Sequence, residues 1–195
     1  MRMLCLSLFL FSLAIPANAE TISSVYTKYN LDKCQKVYGT PGDDESVFLI
    51  CPGYKTNQVY FAEGDLRTLI AYGKDPAKHC SGQQTFGGFN TATPTIEWRL
   101  RNGKPFAAIQ RWNVSDFDDS SKIKSWLGVT KLDGVNSCRV AIVEGSLKNA
   151  NLRARQAADT LVDDFNCAAD EATVIATKPM TAGELMSGTP CPDRE

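Results

Sequence analysis

Histidine is almost missing from this chain: among 195 residues only His79 carries an imidazole. A hydrolytic triad normally needs such a base beside serine or cysteine. His79 instead adjoins Cys80 in a polar stretch and reads as an exposed loop residue. No two cysteines stand in C-x-x-C spacing, so no metal clamp is legible. The H-E-x-x-H, P-loop and G-x-G-x-x-G patterns are absent as well, and no cofactor or metal is implied. Charge of one sign is also lacking, with 21 basic against 22 acidic side chains. That balance offers no electrostatic case for nucleic acid or an anionic membrane surface. After the first nineteen residues there is no long apolar run, so no integral membrane span is expected in the mature chain.

What is present begins with MRMLCLSLFLFSLAIPANA. One positive charge at Arg2, an apolar run from Met3 to Ile15 and the small-x-small ending Ala17-Asn18-Ala19 form the layout of a secretory signal peptide. The expected organisation is a signal peptide over 1–19 and a single α+β domain over 20–195, delivered to the periplasm or secreted. Cys5 leaves with the leader. Six cysteines remain: Cys34, Cys51, Cys80, Cys138, Cys167 and Cys191. An even number in an exported chain predicts three disulfides, with fifteen pairings open. The spacing favours local Cys34–Cys51 and Cys138–Cys167 bridges, leaving Cys80–Cys191 to fasten the C-terminus.

The hydrophobic period then organises the middle of the chain. Val47 to Ile50 reads as a buried strand. Asn57 to Glu63 and Leu66 to Tyr72 read as two more, around Glu63-Gly64-Asp65, where Gly64 can supply the positive φ of a tight turn. Residues 74–94 lack periodicity and read as a surface loop pinned at Cys80. TIEWRLR, Asn102-Gly103 and KPFAAIQRW then form a hairpin with a type I′ turn. Counting outward pairs Leu100 with Pro105, Trp98 with Ala107 and Ile96 with Ile109. The opposite face collects Arg99, Arg101, Glu97, Phe106, Gln110 and Trp112. Pro105 cannot donate to a ladder, which places that end at a sheet edge. Further strands follow on either side of Asp133-Gly134, with Cys138, Val140 and Ile142 sharing a face.

From Asn151 to Phe165 the period changes. Ala154, Ala157, Ala158, Leu161 and Phe165 form the stripe of a helix, with Asn149 or Asn151 as a cap, and ATVIA adds a short strand. The fold class is α+β: a twisted antiparallel meander with one principal C-terminal helix packed on it, stapled by disulfides.

Chemistry is harder to find. Asp116, Asp118 and Asp119 lack the glycine and glutamate spacing of a calcium loop and read as a solvated turn. Asn113-Val114-Ser115 is a glycosylation triplet whose meaning depends on the host. Aromatics beside arginine are common interface material, so Arg99, Arg101, Phe106 and Trp112 are candidate binding residues; the competing reading has the helix cover that face. The leading expectation is a non-catalytic, inhibitor-like or other binding module for an envelope protein or glycan. The alternatives are a carboxylate-dependent hydrolase of an envelope polymer, using Glu63, Asp65 or Glu97, and a structural envelope protein.

The runs Tyr29-Asn30-Leu31-Asp32-Lys33-Cys34, Cys51-Pro52-Gly53-Tyr54 and Glu63-Gly64-Asp65-Leu66-Arg67 resemble a family of small secreted proteins of alphaproteobacteria. TIEWRL, PFAAIQRW and the Arg155-to-Phe165 helix ending at Cys167 fit the same pattern. The resemblance spans Tyr29 to Cys167 and implies a periplasmic or secreted bacterial setting, where Asn113 would normally be unglycosylated. It implies no functional residues.

Overall fold

A computed structural model describes residues 20–37, 46–116, 118–188 and 191. The leader expected over 1–19 lies outside them. The chain runs β1 (Ile22–Lys28), β2 (Gln35–Lys36), β3 (Val47–Pro52), β4 (Gln58–Gly64), β5 (Arg67–Gly73), β6 (Thr85–Phe86), β7 (Asn90–Arg101) and β8 (Lys104–Ser115). It continues through β9 (Ile123–Lys131), β10 (Arg139–Glu144), α1 (Ala150–Leu161), β11 (Thr173–Ile175), α2 (Ala182–Leu185) and β12 (Met186–Ser187).

The class is α+β. Ten strands form a mixed sheet in the order β11-β10-β9-β8-β7-β5-β4-β3-β2, with β1 added beside β7. Strands β7 to β10 pair antiparallel in chain order, as do β3 to β5. Two contacts are parallel: β10 with β11, and a single Arg67–Asn90 step between β5 and β7. The expected ATVIA strand is therefore present and lies parallel to β10. Three disulfides join Cys34–Cys51, Cys80–Cys191 and Cys138–Cys167, matching the pairing that spacing favoured.

Helix α1 covers one face of β7–β10. Its buried alanines, Ala150, Ala154, Ala157 and Ala158, let the helix approach Ala107, Ile109, Val129 and Val143 closely. The opposite face carries the aromatic core, including Trp98, Trp112, Phe86, Tyr72 and Trp126. The helix starts one residue early and ends four residues before Phe165. Asn149 occupies the cap position in a left-handed conformation without a side-chain cap bond, and Asn151 instead accepts from Arg111.

Three local expectations are corrected. Asn102 and Gly103 do form the two-residue left-handed turn, with φ of 49° and 77°. Leu100 does face Pro105, but a bulge then shifts the ladder, so Trp98 faces Ala108 and Ile96 faces Gln110. One extra residue sends every later side chain of β8 to the other face. In β10 a second bulge separates Val140, on the helix side, from Ile142, in the aromatic core. At the β4–β5 turn the left-handed residues are Asp65 and Leu66, not Gly64. Gly64 serves packing instead, since a Cβ there would lie 2.8 Å from Ser46 Oγ.

The segment 74–94 is not a surface loop. Its short 3₁₀ turns and β6 pack on β5, burying His79, Cys80, Ser81 and Phe86. In the acidic turn Asp116, its side chain only 11 % exposed, accepts from the Asp118 and Asp119 amides and pairs with Lys124, while the more exposed Asp119 pairs with Lys122. Among the described residues no helix is long and apolar enough to cross a membrane, and no cluster of three or more His, Cys, Asp or Glu could hold a metal ion.

Candidate functional site

The four residues read as a binding face are divided by the sheet. Arg99 and Arg101 point toward α1 and form ion pairs with Asp159 and Asp163. Glu97, two residues earlier, accepts from Arg155 Nε at 2.6 Å. Alternate strand residues lie roughly 6.6 Å apart and helical residues four apart roughly 6 Å, so three rungs can form in register. Ser24 ties two rungs together, accepting from Arg99 and donating to Glu97. The hydrogen bonds from Arg101 hold the Asp163 carboxyl below the usual carboxylate range. Phe106 lies under the Arg101 guanidinium, 4.5 Å from ring centre to Cζ. Trp112 is fully buried on the opposite face against Phe86. The two arginines thus clamp the helix, and Trp112 belongs to the aromatic core.

The candidate acids are separated too. Glu97 is committed to Arg155 and Ser24. Asp65 pairs with Arg67 at an exposed turn. Glu63 borders a groove of about 610 Å³ where the end of β1 passes β4 and the start of β7.

That groove is built by local chemistry. Asn30 accepts from the Asp32 amide at 3.0 Å, closing a 3₁₀ turn over Leu31–Lys33, and the Cys34–Cys51 bridge ties the turn to β3. Tyr29 is buried beneath it. Its ring lies 6.0 Å from that of Phe61, and its amide donates to Pro94 O. The Tyr29 hydroxyl donates to Ala92 O and accepts from Gln110, whose own carbonyl accepts from Tyr72. Burial pushes the Tyr29 phenol up to about 12, with the Gln110 bond opposing and the Glu63 charge adding to the rise. It is therefore a neutral, fixed wall. Leu31, 43 % exposed, and Pro94 complete the apolar lining, while Lys28, Asp32 and Glu63 supply charge.

Sequence reasoning singled out Glu63 but passed over Lys28, Leu31, Asp32 and Phe61. The available signal was the close Cys34–Cys51 pairing, which brings YNLDKC against the strand that pairs with Phe61 and Glu63. Other hollows include one of about 300 Å³ between Glu97, Arg111 and Tyr26, and one of about 400 Å³ beside the Cys138–Cys167 bridge. No family model, curated protein or solved structure matches this chain.

Proposed function

We propose that the protein is an exported, non-catalytic binding module of the bacterial envelope, and that the groove at Tyr29–Asp32 receives a segment of a partner protein. The carrying observation is the groove's composition: an apolar lining of Leu31, Phe61 and Pro94 bordered by two carboxylates and one ammonium. A side chain with an aliphatic stem and a cationic head, lysine or arginine, complements that surface. Three disulfides and the resemblance to secreted alphaproteobacterial proteins support an oxidising setting in the periplasm or outside the cell. In this reading the β7–β10 meander and α1, its one principal helix, are the rigid frame, and the groove is the working edge.

The test is a binding screen with synthetic peptides and purified envelope glycans, followed by NMR mapping. Basic–aliphatic peptides should shift Tyr29, Leu31 and Phe61 resonances, and Asp32→Lys/Glu63→Lys should weaken binding at least tenfold. Glycan binding at the groove without peptide binding would overturn the partner-protein reading.

A second reading has one observation in its favour: Asp32 and Glu63 line the same groove, and paired carboxylates can act as acid and base on a glycan. It requires turnover of an envelope polymer that Glu63→Gln abolishes. Binding without turnover removes it.

A further inference from the structure

Arg139 is a buried cation to which no group among the described residues offers an acceptor. The residue is 3 % exposed, and its Nε, Nη1 and Nη2 atoms all lack a hydrogen-bond partner. Its Cζ lies 5.3 Å from the Trp112 ring centre and 5.9 Å from that of Phe86. Trp112 Nε1, also buried, is a fourth donor nitrogen without an acceptor. The arrangement is built for the guanidinium: a Cβ on Gly128 would stand 1.4 Å from Nη1, so a side chain at that β9 position would displace it. Tyr72, whose charge would act on Arg139, gives its proton to Gln110 and stays neutral, because burial pushes its phenol well up. Ring faces attract a cation but do not accept its N–H bonds conventionally. A charge sealed from water and left without acceptors is strongly unfavourable, so such groups are paired in native proteins.

We propose that Arg139 and Trp112 Nε1 bind a small monoanion, a halide or a ligand carboxylate. The site lies behind the wall of a hollow of about 400 Å³ that Arg139 lines with Gln84, Cys138 and Met186. Asp170 and Glu171 line the same hollow, and their negative charge selects against polyanions such as phosphate or sulfate. The site is independent of the Tyr29 groove and stands or falls separately from the binding function proposed for it.

The three tryptophans, Trp98, Trp112 and Trp126, are all buried, so dissolved iodide meets little exposed indole. Iodide titration of the oxidised protein, with ionic strength held by sulfate, should quench fluorescence saturably at one site. Chloride competition identifies a free halide as the natural class of occupant, and acetate competition a ligand carboxylate. Arg139→Gln should raise the iodide dissociation constant more than tenfold. Trp112→Phe keeps the apolar body and all the arginine donors; it should abolish the saturable component and reduce the rise in thermal midpoint that chloride produces. That second variant keeps the test valid if Arg139→Gln fails to fold. Weak, linear quenching without competition in the wild type would overturn the proposal. So would unchanged iodide affinity in a folded Arg139→Gln protein.

Discussion

The two halves of the sheet solve the same problems differently. In the β7–β10 half, charges facing α1 are matched rung by rung: Glu97 with Arg155, Arg99 with Asp159, Arg101 with Asp163. Its left-handed non-glycine residues are Asn102 and, before the helix, Asn149, the residue type that best tolerates that conformation. In and around the β3–β5 half the left-handed positions fall instead to Lys55, Asp65, Leu66 and Asp75. His79 and Ser81 are buried there with polar atoms unbonded, and the Tyr29 groove opens along its border. Left-handed backbone at residue types that tolerate it less well therefore gathers in and around the β3–β5 half, while the β7–β10 half holds the unbonded donors of Arg139 and Trp112.

The sharpest break of this comparison lies in the ion-pair ladder. Arg99→Ala leaves Asp159 and Ser24 facing a largely buried gap and should destabilise the protein by about 2–3 kcal/mol, near the cost of losing hydrogen bonds to a charged group. Arg101, with more of its side chain in solvent, should cost about 0.5–1 kcal/mol when changed to alanine. Urea midpoints at constant slope measure both. Equal, small losses would show that the ladder is ornamental and that the helix is held by its alanines alone.

The β3–β5 half should respond to acid through His79. Burial lowers its basicity below the usual 6.5, while the Lys74 and Tyr72 carbonyls and the Asp75 charge act in the opposite sense. The neutral ring faces Lys74 O through Nε2 at 2.8 Å, and a second proton would enter at buried Nδ1. Below about pH 6.5 the unfolded chain therefore takes up a proton that the folded chain resists, and stability falls as pH falls. Between pH 7 and 5 the wild type should lose more stability than His79→Gln in denaturant titrations. Parallel pH profiles would remove His79 from the account.

These contrasts also mark what the sequence could reveal. Asn102-Gly103 states its turn outright, because the pair suits the left-handed positions of a type I′ hairpin. The alanine stripe announces α1, and the close pairs among six cysteines announce two of the bridges. The bulge near Phe106 leaves no comparable mark. It is a single inserted residue, yet it moves Trp112 from the expected arginine face into the aromatic core. Phe106 itself stays beside Arg101, so of the four expected residues only Trp112 leaves the arginine face. The groove was hidden for another reason. Its walls come from β1, β4 and β7, and only the tertiary fold joins them. His79 was misplaced because a polar, aperiodic segment can still be buried when a disulfide and β5 hold it down.

A last test asks whether the left-handed backbone of the β4–β5 turn carries a real cost. Leu66 has a φ of 57° and is 66 % exposed, so its side chain contributes little to the core while its backbone occupies a region unfavourable to leucine. Its carbonyl accepts from Asn90 N, and the neighbouring Arg67 lies over the Phe89 ring, so the turn is anchored in this conformation. Leu66→Asn should keep the turn, remove much of the conformational penalty and raise stability by about 1 kcal/mol, visible as a rise of roughly 2–4 °C in thermal midpoint. Asparagine is the better test than glycine, because glycine also frees the unfolded chain and offsets part of the gain. The reverse change, Asn102→Leu at the β7–β8 turn, should cost a similar amount. If Leu66→Asn gives no gain while Asn102→Leu does cost stability, exposed Leu66 must hold contacts that offset its backbone, and the contrast between the halves fails at this turn.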